Sequence, residues 1–96
     1  MSGIQFEWDE EKAAGNLSKH GISFIKATKV FLDRSAMEEL DRNEHDEHRH
    51  FTIGIVDSET LFVVFTLRGD RIRLISARRA TRHEAARYWE DRLLYA

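Results

Sequence analysis

Residues 71–84 read RIRLISARRATRHE. The run opens with Ile72, Leu74 and Ile75, an apolar, β-branched pattern that predicts a buried strand. It closes on Thr81 and Glu84, the S/T-x-x-E spacing of a capping box, which predicts a helix start. Arg78 and Arg79 lie between the two, at a strand-to-helix junction where burying either guanidinium is difficult. Across residues 68–82 six arginines and one aspartate leave a charge of +5, whereas the whole chain carries −2. The positive charge is local, and local positive charge is what attracts phosphate. The cap sets where the helix begins and therefore where Tyr88 points.

Upstream of this stretch, Ile4, Phe6 and Trp8 alternate with polar residues and predict a short strand. Asp9 is the expected N-cap of a helix reaching about His20, with Gly21 as its left-handed C′ residue. Ser23 is the expected cap of a second helix ending near Leu32 or Asp33. Phe24, Ala27, Thr28 and Phe31 form its one apolar face. Residues 35–41 fit a strand or a helix continuation, with the strand preferred. Residues 41–50 read as a charged loop. Phe51, Ile53 and Ile55 mark the next strand, Asp57-Ser58-Glu59 a turn, and Leu61 to Leu67 a central strand covered on both faces. Arg68-Gly69-Asp70-Arg71 has the chemistry of a tight hairpin leading into the last strand. Arg82 to Leu94 completes the chain as a helix in which Ala85, Tyr88, Trp89 and Leu93 share a face. The order β-α-α-β-β-β-β-α predicts one α+β domain over residues 1–96 with a meander-like antiparallel sheet.

Composition narrows the function. With 42% hydrophobic and 10% aromatic residues the 96-residue chain can fold around a core. It has no cysteine, which excludes disulfides, thiolate catalysis and zinc held through sulfur. The N-terminus lacks the basic and apolar regions of a signal peptide. No apolar run approaches the ~20 residues of a membrane span. A cytoplasmic location without membrane attachment is expected.

Two constellations carry possible chemistry. His45, His48 and His50 with Asp46 and Glu47 have metal-ligating side chains, but the spacing is not that of a helical zinc pair. They read first as a solvated charged loop, so no metal and no cofactor is expected. Arg49, next to a strand, is more firmly placed than its neighbours. The second constellation is the basic stretch, for which two readings stand. Its arginine forks suit phosphate oxygens. Alternatively, Arg73 and Arg79 pair with acids of residues 38–47 or of the first helix. Regular alternation would place Arg71, Arg73 and Arg79 on one face and Arg78 on the other. Tyr88 and Trp89 could stack bases or pack in the core.

No Gly-x-Ser-x-Gly, Walker loop or Cys–His pair is present. Catalysis here would rest on acid–base groups and cations. Cleavage of RNA by its own 2′-hydroxyl needs nothing more: a base, an acid and arginines that stabilise the charged phosphate. The candidate proton-transfer groups are His20, Glu47 and Tyr88.

Several stretches together resemble the BrnT toxins. They are Phe6-Glu7-Trp8-Asp9, Lys12, Asn16, Lys19-His20-Gly21, Phe24, Ala27, Phe31, Glu47-His48-Arg49, Ile53-Gly54, Val64-Phe65-Thr66, Arg68 and residues 72–81, then Glu84 and Tyr88. Where the family commonly reads Glu-Glu-Arg before the middle strand, this chain has Glu47-His48-Arg49. The resemblance implies a RelE-like α+β fold, with an antiparallel sheet packed against two N-terminal helices and one C-terminal helix. It also implies a metal-independent endoribonuclease of a type II toxin–antitoxin system. The expected catalytic set is Arg49, Arg78, Arg79, His20, Glu47 and Tyr88, and the expected RNA-binding set is Lys19, Arg68, Arg73 and Arg82. The implied partners are RNA and a BrnA-like ribbon-helix-helix antitoxin, through which alone the chain would meet operator DNA. Exposed apolar surface would serve that antitoxin, in a higher hetero-oligomer, or a homodimer. The other class of function is a toxin-like module that binds an antitoxin without cutting RNA and acts in operon autorepression.

Overall fold

Local capping chemistry sets the N-terminal layer. In the computed structural model, which describes residues 3–41 and 48–95, a short strand β1 (Gln5–Glu7) leads into α1 (Glu10–His20). The Asp9 carboxylate accepts from the backbone N–H groups of Glu11 and Lys12 at 2.8 and 3.2 Å. Gly21 ends α1 in the left-handed region, where a Cβ would be strained. Ser23 caps α2 (Phe24–Thr28), which tightens into a 3-10 turn over Lys29–Leu32.

Four further strands follow in a meander: β2 (Met37–Asp41), β3 (Arg49–Val56), β4 (Glu59–Arg68) and β5 (Arg71–Arg79), and then α3 (Arg82–Tyr95). The preferred strand over residues 35–41 is therefore present. Asp57 and Ser58 both adopt positive φ, the signature of a type I′ hairpin whose twist matches that of the flanking strands.

The spatial order is β1-β5-β4-β3-β2. The meander pairs antiparallel, but β1 lies parallel to β5, with Phe6 opposite Ile72. The sheet is therefore mixed, not antiparallel. Alternation identifies a strand, but it carries no information about which distant strand closes the edge. No helix of the described residues is long and apolar enough to cross a membrane.

The last strand contains the feature that alternation missed. Val64 pairs with Ser76 and Phe65 with Leu74, so Ile75 is an extra residue, a β-bulge. The bulge inverts the side-chain parity of β5 beyond it. Arg73 and Arg78 consequently share one face, and Arg79 takes the other. This corrects the expectation that Arg71, Arg73 and Arg79 would stand together against Arg78.

The two faces differ in cover. Phe24, Ala27 and Val30 of the N-terminal layer pack on Val56, Leu61, Val63, Phe65, Leu74 and Ala77. Helix α3 lies on the opposite face and covers only its β3 end, with Tyr88 and Ile53 fully buried. Phe62 and Val64 remain half-exposed there, so β4 is not covered on both faces. Nor does α3 present one apolar stripe: Tyr88 points in, while Trp89 and Leu93 are 45% and 80% exposed.

The N-terminal layer sits close on β3. A Cβ on Gly54 would come within 2.8 Å of Val30 Cγ2, 3.0 Å of the Ala36 Cβ and 3.2 Å of Asp33 Oδ2. Gly54→Ala is expected to cost about 1–3 kcal/mol by overpacking, read as a lower urea midpoint at unchanged m-value. An unchanged midpoint would show that the layer gives way freely.

Candidate nucleic-acid interface

The open half of the α3 face is a grid set by strand register. One row runs Thr66, Arg73 and Glu7 across β4, β5 and β1, and Arg49, one residue before the His50–Phe65 pair, extends it onto β3. The next holds Phe51, Val64 and Ser76, and the third Ile53, Phe62 and Arg78. Three corners are arginines. The fourth, Ile53, lies beneath α3. Strand spacing and rise put Arg49 and Arg73 about 10 Å apart at Cα, and Arg73 and Arg78 about 13 Å apart. The three arginines are thus spread for successive phosphates rather than gathered round one.

Val64 holds the middle of the grid, with Phe51 and Phe62 beside it. The Phe51 and Phe62 rings stack with centroids 4.8 Å apart, and the Arg78 guanidinium lies 4.3 Å over the Phe62 ring. Arg78 also donates Nη1 and Nη2 to the two carboxylate oxygens of Glu84, at 2.7 and 3.0 Å. Glu84 belongs at the same time to the expected capping box. It accepts from the Thr81 backbone N–H at 2.8 Å, and its own N–H donates to the Thr81 hydroxyl at 3.2 Å. The Arg78 hydrogen bond holds the Glu84 carboxyl below its ordinary pKa despite burial, and reciprocally raises Arg78.

Arg49 is half-buried, and its Nε is buried without a hydrogen-bond partner. Such a donor is costly in the absence of an acceptor. Arg73 is engaged by Glu7 at 2.7 Å, and Arg71 approaches the same carboxylate at 3.5 Å. Arg68 ends β4 beside Arg71 and is exposed, as is Arg82 at the start of α3.

The other expected site residues lie elsewhere. Arg79, on the helix-layer face, pairs with Glu59, which also binds Lys26. Its Nη1 donates to the His20 backbone carbonyl at 3.3 Å. His20 is half-buried at the end of α1, and Lys19 beside it is exposed. The fold therefore joins Arg79 to His20 on one face and leaves Arg49 and Arg78 at separate corners of the other. Tyr88 is fully buried, and its hydroxyl donates to Asp33 Oδ2 at 2.7 Å. Glu47, with His45 and Asp46, lies outside the described residues. His50 stacks on Phe65, away from the grid. Among the described residues no three His, Asp or Glu side chains are grouped to hold a metal.

Two organising residues escaped the sequence reading. Asn16, on α1, bonds the backbone of Ala77 and Ile22. Asp33 accepts from the backbone N–H groups of Ile55 and Ser35 as well as from Tyr88, and so ties the N-terminal layer, β3 and α3 together. Burial opposes its charge, but those hydrogen bonds win and lower its pKa. An apolar-face asparagine and an acid directly after a helix were the available signals.

Asp33, Glu84, Glu7 and Glu59 all have lowered pKa values. For Glu7 the leading cause is the Arg73 hydrogen bond, and for Glu59 the Lys26 hydrogen bond. A depressed folded pKa adds stability above the unfolded value, and that stability is lost as pH falls through the folded one. The urea midpoint is expected to stay flat from neutral pH to about pH 5 and to fall below about pH 4. Asp33→Asn should flatten that fall. A midpoint that rises on acidification would contradict the assignment.

A search among curated proteins returns no match. A family model does match: that of the ribonuclease toxin, BrnT, of type II toxin–antitoxin systems, over residues 8–84, a span that includes the three arginine corners of the grid and the Glu84 cap. The chain belongs to the BrnT family of ribonuclease toxins.

Proposed function

We propose that the chain cleaves RNA on the open face of its sheet, without a metal ion, using the substrate's 2′-hydroxyl as nucleophile. The observation that carries this reading is the grid itself: Arg49, Arg73 and Arg78 at three corners, with the stacked Phe51–Phe62 pair between them, in a family of ribonuclease toxins. The phosphate backbone runs past the arginines, and a base rests against Phe51 and Phe62. Arg78 stabilises the charge that develops on the reacting phosphate, and Arg49 and Arg73 hold phosphates further along the backbone. Arg68 and Arg82 add positive potential around the path, while Lys19 lies at the end of α1 on the other face. Tyr88, buried against Asp33, anchors α3 and does not touch RNA. Arg79 and His20 hold the junction between α1 and β5, and Glu47 remains a candidate proton-transfer group.

The RelE-like fold assignment and a BrnA-like ribbon-helix-helix antitoxin, with operon repression through it, belong to the same reading. A second reading, an antitoxin-binding module without catalysis, draws on a different surface. The helix layer exposes Leu17, Ile25 and Leu32, well away from the basic face.

The discriminating experiment incubates purified protein with RNA in EDTA. Cleavage is expected. RNA left intact by protein that still binds its antitoxin would favour the module. Cleavage abolished by EDTA would overturn the metal-free mechanism.

A further inference from the structure

Glu84 does more than start a helix. Its two oxygens occupy the end of the Arg78 guanidinium, one on Nη1 and one on Nη2. The second Nη1 hydrogen is directed to the Arg79 backbone carbonyl at 3.3 Å. The guanidinium plane is fixed from beneath by the Phe62 ring. Of the five N–H groups of Arg78, this leaves Nε–H and the outer Nη2–H, which lie side by side and form the second two-point edge of the fork.

We infer that Glu84 is a positioning residue for RNA cleavage: it holds the end of the Arg78 fork so that the Nε–Nη2 edge is presented to a substrate phosphate. The inference rests on the RNA-cleaving reading above. In it, Arg78 is a pre-aimed donor pair and not a loose surface charge. Preorganised donors stabilise a transition state without reorganising at the moment of reaction, whereas an unbraced arginine must first be ordered. The capping box makes the brace stiff, because the same carboxylate is held by the Thr81 backbone N–H. Position along α3 is thereby transmitted to the guanidinium.

Three variants separate this from a capping role. Glu84→Gln keeps a residue suited to the capping box but loses the charged two-point grip on Arg78. Thr81→Ala removes the hydroxyl cap but leaves Glu84 on Arg78. Arg78→Ala removes the guanidinium. With a fluorescent RNA substrate in steady state, Glu84→Gln is expected to lower kcat about 10- to 100-fold with KM changed less than about threefold. Thr81→Ala should lower Tm but hold kcat within about twofold of wild type. The double variant Arg78→Ala, Glu84→Gln should cleave no more slowly than Arg78→Ala alone, because Glu84 acts through Arg78.

The inference is overturned if Glu84→Gln cleaves at or above the wild-type rate, which would make Glu84 a bystander or a competitor of phosphate. It is also overturned if its defect multiplies that of Arg78→Ala, or if Thr81→Ala reproduces it. Full cleavage by Arg78→Ala would sink the open-face reading itself, and this inference with it. Loss of activity in Arg78→Ala beside a fully active Glu84→Gln sinks the inference alone.

Discussion

Replacing Arg78 by alanine is expected to slow RNA cleavage about 10²–10³-fold, the cost of removing one aimed donor from a developing oxyanion. The protein should remain folded. Arg78 is half-buried, and its partner Glu84 keeps the Thr81 backbone N–H after the change. The stability loss should therefore be about 1 kcal/mol, a Tm shift of several degrees. The neighbouring Arg79→Ala variant is the internal control. Arg79 carries the same charge one residue away, so any mechanism that depends only on net positive potential makes the two variants equal. The bulge at Ile75 makes them unequal. It turns Arg78 towards the Phe51–Phe62 platform and Arg79 towards Glu59 and the end of α1. Arg79→Ala is expected to retain cleavage within about tenfold of wild type while weakening the α1–β5 junction. Equal losses in the two variants, or a larger loss for Arg79, would move the reactive centre to the His20 side of the sheet.

The contrast between these two arginines also marks how far the sequence could be read. Strands, helices and turns were legible where one physical cause acts within a few residues. Examples are the Asp9 and Ser23 caps, the left-handed Gly21, the Thr81–Glu84 box and the positive-φ turn at Asp57-Ser58. The positive cluster was legible as charge. Its division between faces was not, because a single unpaired residue inverts every side chain beyond it and Ile75 looks like any other strand isoleucine. The parallel closure by β1, the Asp33–Tyr88 bond across 55 residues and the Asn16–Ala77 clamp across 61 depend on contacts made only after the chain is folded. Tyr88 illustrates the cost of that. Spacing favours core packing for at least one of Tyr88 and Trp89 but does not say which. Burial against Asp33 makes Tyr88 the anchor of α3.

Asn16→Ala is expected to be the most destabilising of the polar substitutions, at about 3–5 kcal/mol. The reason lies in the edge of β5. Strand β1 covers that edge only opposite residues 71–73, so beyond them the outer backbone groups of β5 have no strand neighbour. Asn16 takes the neighbour's place. Its side-chain amide accepts from the Ala77 N–H at 3.0 Å and donates to the Ala77 carbonyl at 2.8 Å, as a peptide unit in a ladder would. The same Nδ2 reaches the Ile22 carbonyl at 2.9 Å, fixing the chain just after α1. The site is 8% exposed, so little water can replace what is lost. Three backbone groups would each lack a partner, at about 1–3 kcal/mol apiece before relaxation. Against the roughly 5–15 kcal/mol of a typical domain, and the lower part of that range for a chain this short, such a loss brings the protein near its unfolding threshold. Asn16→Asp is the sharper companion. It keeps the acceptor for Ala77 N–H but sets a carboxylate against two carbonyls, so its defect should match or exceed that of alanine at neutral pH and ease on acidification. Because Ala77 immediately precedes Arg78, cleavage should fall along with stability in both variants. Urea unfolding at several pH values reads the effect. A loss below about 1 kcal/mol for Asn16→Ala would mean that β5 keeps its edge without the clamp.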